Sequence, residues 1–401
     1  MELTDDHRLV LRAVKQQGGM SKAGIAAETG WARATVTQRV SELVEALWLE
    51  EVDAPVSGAG RGRPSTLYRL NSSSALIFVL SLGQTQATLA LVDLQGTPMA
   101  TRQVVFEPKS TAGIGVGIEE ASEVARKASS FLQDLLTAAR RRREDVRLCV
   151  IGKPGPVDPD HPNTPIAMAG WVSVGLRDVV EAEVGVPTLV ENDANLMVLG
   201  SWDQEGRPSG SFVYVKVGVG LGAGIVIDGR LVRGRQGMAG EIGHIPVSAR
   251  SDRQCACGQS SCVTQIADAR AILRNLQQEG IDVEDLDDLA QLAVRGDPAA
   301  ARVLRQAGRH IGEALLGMVS TLAPDTIMIG GRVSELGEHL VTGARETLYS
   351  RSIPALTAGM SVIASPDHRE ISLRGAANVG IEALIDRGVD LTGSLLPIAG
   401  S

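Results

Sequence analysis

Three of the chain's four cysteines, Cys255, Cys257 and Cys262, fall within eight residues, and His244 lies shortly before them. Three thiolates and an imidazole make the closed tetrahedral shell of a structural zinc site. The alternative, core thiols beside an unrelated histidine, suits the buried habit of free cysteine. A CxCGxxxC loop with a glycine and polar residues is, however, a poor core and a good ligand hairpin. Closed coordination leaves no position for an activated water, so the expected zinc shapes a site and performs no catalysis. Cys149, inside the apolar run Val146 to Ile151, reads as core.

Two further groups carry chemistry. Glu241 precedes His244 by three residues and can face a neighbouring cleft while zinc fixes the backbone. Asn192-Asp193-Ala194-Asn195 follows the strand-like Thr188 to Val190. A carboxylate flanked by carboxamides can hydrogen-bond a polyol or act as a base toward one. The same residues also suit a helix cap.

The elements that must position these groups are β-rich runs followed by helices. Ala75 to Leu82, Ala87 to Leu94 and Met99 to Phe106 alternate strand-like runs with turns, before a helical pattern from Ile118 to Arg140. The opening recurs at Ser211 to Val217, Ala223 to Ile227 and Arg230 to Arg233, with Gly218-Val219-Gly220-Leu221-Gly222 as the first turn. Two such starts predict two similar α/β lobes with a cleft between them. Helical patterns at Asp297 to Leu322 and Ala376 to Ile385 follow.

The N-terminal stretch is different. Apolar spacing predicts a helix over residues 4–17, a short one capped by Ser21, and a third with Val36, Val40, Leu43 and Leu47 on one face. Tight glycine turns between them match a helix-turn-helix. Arg33, Thr35, Gln38 and Arg39 are residue types that reach base edges and phosphates from a recognition helix. Strands near Leu49 to Val52 and Thr66 to Leu70 flank a glycine-rich tip whose Arg61 and Arg63 suit a minor groove, as in a wing. Asn71 to Ser74 reads as a linker.

The totals set limits. At 401 residues, 44% hydrophobic and 21% charged, the chain is an ordinary soluble protein of two or three domains. No apolar run reaches membrane-span length and the start has no signal-peptide pattern, so a cytoplasmic protein is expected. A formal charge of -8 argues against nucleic acid for the chain as a whole but not for one domain.

These motifs together resemble the ROK family, which joins bacterial sugar kinases to repressors carrying an N-terminal winged helix-turn-helix. The resemblance covers essentially the whole chain and rests on Gly240 to His244 with CxCGxxxC, the Glu191 to Asn195 segment, the Gly218 to Gly224 turn and the wing's Gly62-Arg63-Pro64. It implies an α/β fold with a winged helix-turn-helix DNA-binding domain at 1–72. A two-lobed actin-like, sugar-kinase-like domain of duplicated ribonuclease H-like design would follow at 73–401. Its small lobe would span about 75–190 plus a C-terminal helix at 375–388, and its large lobe about 191–374. By the same resemblance His244, Cys255, Cys257 and Cys262 bind Zn²⁺, while Asn192, Asp193, Glu241 and His244 surround a sugar. Asp193 matches the kinases' catalytic base.

The departures matter as much. The family kinases' DxGGTK phosphate loop reads Ser81-Leu82-Gly83-Gln84-Thr85-Gln86 here, so a Mg²⁺-holding carboxylate, a glycine and the lysine are replaced. In the sugar pocket Ala167 and Thr264 stand for an asparagine and a glutamate, and Ser261 for the last glycine of the zinc motif. The expectation is a DNA-binding transcriptional regulator and not an enzyme: a repressor, acting as a homodimer or homotetramer on operator DNA and sensing a sugar or sugar derivative. The alternatives are an active sugar kinase with an added DNA-binding domain and, on Ala167 and Thr264, a regulator with no small-molecule ligand.

Overall fold

A computed structural model describes residues 2–53, 66–83, 86–105, 118–158, 175–251 and 253–388. Helix α1 (Asp5–Gln17) begins where Thr4 accepts a hydrogen bond from the His7 amide, and it ends at Gly18. Helices α2 (Lys22–Thr29) and α3 (Arg33–Glu45) close a small core with it through Val10, Val14, Ile25, Val36, Val40 and Leu43, all fully buried. Strands β1 (Leu49–Asp53) and β2 (Thr66–Leu70) pair antiparallel, with Leu49 opposite Leu70. Leu47, expected on the apolar face of α3, lies past the helix end at φ 62° and is 43% exposed. The chain turns there to start β1, and Trp48 takes the buried place.

The stretch expected as a linker is a fixed turn. The Asn71 side chain accepts from the Ser73 amide and hydroxyl at 3.0 and 2.8 Å, and Arg141 donates to the Ser73 carbonyl at 2.5 Å. Asn71 is buried, and its amide donates to Trp48.

Beyond it lie two five-stranded sheets of matching order. The first contains β3 (Leu76–Leu82), β4 (Gln86–Asp93), β5 (Pro98–Val105), β6 (Val146–Lys153) and β7 (Thr188–Asn192), arranged β5-β4-β3-β6-β7. Helices α4 (Ile118–Ala139) and α5 (Leu176–Val184) cover one face; α6 (Asp193–Gln204) follows β7 directly. The second contains β8 (Ser211–Val217), β9 (Leu221–Ile227), β10 (Arg230–Leu231), β11 (Thr326–Gly330) and β12 (Ser361–Ala364), arranged β10-β9-β8-β11-β12. Its helices are α7 (Val263–Ala267), α8 (Ala269–Gln278), α9 (Leu286–Val294), α10 (Pro298–Leu322), α11 (His339–Arg351) and α12 (Pro354–Thr357). In both sheets the first two pairings are antiparallel and the later ones parallel, as the repeated opening predicts.

The last helix, α13 (His368–Arg387), starts at an Asp367 cap and not near Ala376. It is buried on several sides, through Ile371, Ser372, Leu373 and Ala376, so its first turns lack the one-sided apolar period that marks a surface helix. Helix α13 packs on α6 with backbones in near contact: a Cβ built on Gly375 would stand 1.8 Å from the Leu196 carbonyl oxygen. Its far end meets α1. Glu382 accepts from Arg12 at 3.1 Å and Lys15 at 2.8 Å, Asp386 pairs with Arg12, and Arg8 donates to the Ile385 carbonyl at 3.3 Å. One hydrophobic core runs from Val10 and Leu11 through Trp48 and Ile77 to Ile381 and Leu384, so the N-terminal unit shares its interior with the first sheet. Among the described residues no helix is long and apolar enough to cross a membrane.

Candidate functional site

Helix α3 presents Arg33 and Gln38 to solvent, with Thr35 half-buried between them. Its Ala32 N-cap provides no side-chain bond. Arg39 is committed elsewhere: its guanidinium donates to Asp6 at 3.1 Å and to Glu42 at 2.9 Å. Glu42 also receives Gln38 at 2.9 Å and lies 2.7 Å from the His7 Nε2. Those hydrogen bonds, from His7 first and then Arg39 and Gln38, draw the Glu42 carboxyl down to about 2. Arg39 thus ties α3 to α1 in this structure. Arg61 and Arg63 lie outside the described residues.

The cysteine segment folds back on the His244 segment. Val247 and Val263 donate across to Ser261 and Ile245, and Pro246 bridges to Cys262. The donor atoms of His244, Cys255, Cys257 and Cys262 consequently all lie within 4.8 Å of one another. The Cys255 sulfur is 3.4 Å from His244 Nδ1, and the Cys257 and Cys262 sulfurs are 3.5 Å apart. Burial, with the neighbouring thiols adding, pushes Cys262 up to about 12. A set of three thiols and one imidazole fits a cation that takes their protons' place, which is zinc chemistry. Ser261 sits at φ 70°, a left-handed position that favours glycine.

His244 links this cluster to the cleft: its Nδ1 faces the thiols, while its Nε2 is 4.0 Å from Glu241. The loop bearing Glu241 rests directly on β9. The Ala223 amide donates to Gly240 at 2.8 Å, and a Cβ at Gly240 would stand 1.8 Å from the Ala223 carbonyl oxygen.

Across the cleft, both readings of the Asn192 segment hold in part. Asn192 is the N-cap of α6, accepting the Asn195 amide at 3.0 Å, and its own amide group donates to Gly155 at 2.9 Å. Asp193, the first helical residue, is free of that duty and pairs with Lys216 from β8. Glu191 accepts from Asn195 at 2.9 Å and pairs with Arg233 at 2.9 Å. Burial pushes Glu241 up to about 7, with Asp193 adding and Lys153 opposing. Burial likewise pulls Lys153 down to about 8 against the attraction of Asp193 and Glu241. Two carboxyls, Asp193 and Glu241, and two ammoniums, Lys153 and Lys216, therefore share one partly dry cleft.

Lys216 did not figure among the expected site residues, and Lys153 entered only as part of the Gly152 to Asp158 loop, expected near a ligand because it follows a strand. Lys216 carries a legible signal, because it is the one charged residue in the apolar strand Ser211–Val217. Beside Asp193 a cavity of about 100 Å³ opens toward Ser81, Gln86, Lys216, Arg369 and Ser372. The Ser81 and Ser372 hydroxyls meet there at 2.8 Å. Ala167 lies outside the described residues.

Comparison with known proteins agrees with this layout. A family model described as ROK family matches residues 78–382, and one described as Winged helix-turn-helix DNA-binding matches residues 5–46. The xylose repressor of Caldicellulosiruptor bescii is 27% identical over 362 residues, covering 86% of this chain and 88% of that protein. The DNA-binding transcriptional dual regulator NagC of Escherichia coli is 29% identical over 402 residues, covering 96% and 93%. A crystal structure of a ROK family transcriptional regulator homologous to the E. coli MLC protein shares the fold with a TM-score of 0.75 at 24% identity, covering 96% of this chain and 97% of that one.

Proposed function

The chain belongs to the ROK family, and from that premise we propose that it is a DNA-binding transcriptional repressor controlled by a sugar or sugar derivative held between its lobes. One juxtaposition carries the reading. A helix-turn-helix unit is fixed by ion pairs and a shared core to a two-lobed domain whose phosphate hairpin has Ser81 and Gln86 where a kinase needs a carboxylate and a lysine. Phosphoryl transfer depends on positioning and metal-assisted charge stabilisation, and neither residue provides much of either. Asp193 keeps the place of a base, but Lys216 holds it as an ion pair.

In this reading residues 1–72 are the DNA-binding domain and 73–401 the ligand domain, acting in the cytoplasm as a homodimer or homotetramer on a two-fold operator. Arg33, Thr35 and Gln38 approach the major groove, Arg61 and Arg63 the minor groove, and Arg39 sets the angle of α3 through Asp6 and Glu42. His244, Cys255, Cys257 and Cys262 hold Zn²⁺, which fixes the loop that brings Glu241 to the ligand. Asn192 contributes chiefly by capping the helix that carries Asp193.

The test is an operator titration with and without sugars and sugar derivatives. Ligand and operator must weaken each other's binding by the same factor. Glu241→Ala should abolish the ligand response and leave ligand-free operator affinity unchanged. Equal operator affinity with and without saturating ligand would show that the cleft does not control DNA binding. A coupled assay with ATP and Mg²⁺ should give no turnover; turnover that vanishes in Asp193→Asn would restore the kinase reading.

A further inference from the structure

On the solvent face of α3 one carboxamide stands among small side chains: Ala34, Thr37, Gln38 and Ser41 are exposed, while Val36, Val40 and Leu43 face the core. Gln38 is not loose there. Its Nε2 donates to Glu42 Oε1 at 2.9 Å, one helical turn further on. Such a bond on a helix surface contributes little by itself. Glu42, however, is held from α1 as well. Its other oxygen, Oε2, accepts from Arg39 at 2.9 Å and lies 2.7 Å from His7 Nε2. His7 is buried, and its Nδ1 accepts from the Thr4 amide at 3.2 Å, so the ring proton sits on Nε2 and is donated to Glu42. The cap of α1 thus orients an imidazole, and the imidazole orients the carboxylate that holds Gln38.

The direction of that last bond matters. Glu42, drawn down to about 2, has no proton to give at neutral pH, so only the nitrogen of the Gln38 amide can face it. One N–H is used by Glu42; the oxygen and the second N–H remain for the groove. One acceptor beside one donor matches adenine, whose major-groove edge offers the N7 acceptor and the N6 donor. Guanine offers two acceptors, N7 and O6, and its O6 would meet the amide oxygen. Arg39, the neighbouring side chain whose type favours guanine, is withheld by Asp6 and Glu42. We infer that Glu42, without reaching DNA itself, positions the Gln38 carboxamide so that α3 reads adenine and rejects guanine at one base pair of each half-site. The inference rests on the reading of α3 as the recognition helix of a DNA-binding regulator.

Selection of bound duplexes from a randomised DNA pool by the full chain tests it. The parent should enrich a two-fold site with one position per half-site where A is preferred over G by about tenfold, the usual worth of a bidentate contact. Gln38→Ala should remove that preference and leave the other positions as they are. Glu42→Gln, whose amide can turn either its oxygen or its NH₂ group toward Gln38, should reduce the A-over-G ratio from about tenfold to about twofold. Arg39→Ala takes another partner from Glu42 but spares the Gln38 bond, so it should weaken binding to all sequences together and keep the ratio. The ratio compares two duplexes on the same protein and does not depend on how much of a variant is folded. A preference unchanged in Glu42→Gln would overturn the inference, and so would a ratio that falls as far in Arg39→Ala, because Glu42 would then act only by docking α3. A selected site with no Gln38-dependent A preference would overturn this inference alone. A parent that enriches no sequence at all would overturn the regulator reading and this inference with it.

Discussion

Two hairpins face each other across the cleft, and they have diverged in opposite ways. The β3–β4 hairpin keeps its pairing to the end, with Leu82 opposite Ala87 and the Gly83 amide donating to Gln86 at 2.8 Å. It also keeps the glycine that this turn needs, since a Cβ on Gly83 would stand 2.8 Å from the Gln86 carbonyl oxygen. What differs is the side chains: Ser81, Gln84 and Gln86 stand where the family resemblance expects a carboxylate, a second glycine and a lysine. The β8–β9 hairpin retains Gly218, Gly220, Gly222 and Gly224, and Gly224 lies against α6, where a Cβ would meet the Ala194 carbonyl oxygen at 2.3 Å. Backbone approach demands a glycine whatever the protein does, whereas the side chains at a hairpin tip are set only by what they bind.

If the second hairpin is the structural one, the His244, Cys255, Cys257 and Cys262 cluster next to it, with the zinc we propose there, should matter most. Cys257→Ser should release zinc and lower Tm by roughly 10 °C, taking about 2–4 °C per kcal/mol for a unit of this size; metal analysis and calorimetry provide the measurement. Retention of stoichiometric zinc would take Cys257 out of the shell. Next in size, Gly224→Val should cost about 3 kcal/mol by overpacking β9 against α6, read from urea unfolding. A loss under about 0.5 kcal/mol, the range of ordinary surface changes, would erase the contrast between the hairpins.

The N-terminal unit offers a comparison from outside the cleft. Glu42 ordinarily titrates near 4.5 and is held at about 2, so its contribution is present above 4.5 and is lost as pH falls toward 2. The Tm difference between the parent and Glu42→Gln should shrink across that window, and a constant difference would show that the charge is not what stabilises. The smallest effect belongs to the first hairpin. Gln86→Lys, which restores a family residue, should change stability by no more than about 0.5 kcal/mol.

Most of the architecture was legible because strand runs and turns alternate plainly in the sequence. The two repeated openings, the helix beginning at the Asp297 cap and the cysteine hairpin all follow from local pattern. Strand β12, only Ser361–Ala364, is too short to show a period, and α13 is buried on too many sides to show one. The site was legible where one segment carries it. Cations gathered from separate strands and helices, such as Lys153, Lys216 and Arg369, become neighbours only in three dimensions. Arg39 illustrates the opposite limit: its type and helix position suit DNA, yet the acids of α1 and α3 hold it.

The seat of α1 on α13 also bears on how the chain is made. Lys15 and its partner Glu382 are 367 residues apart, so the DNA-binding unit leaves the ribosome long before the helix that receives it. At about 5–20 residues per second that interval is roughly 20–70 s. Throughout it, apolar groups that end in the shared core, among them Leu3 and Trp48, lack their final neighbours. A nascent chain of this kind can hold a complete helix-turn-helix sequence while its docking surface is still untranslated, and premature termination before α13 would release a unit with a permanently uncovered apolar face.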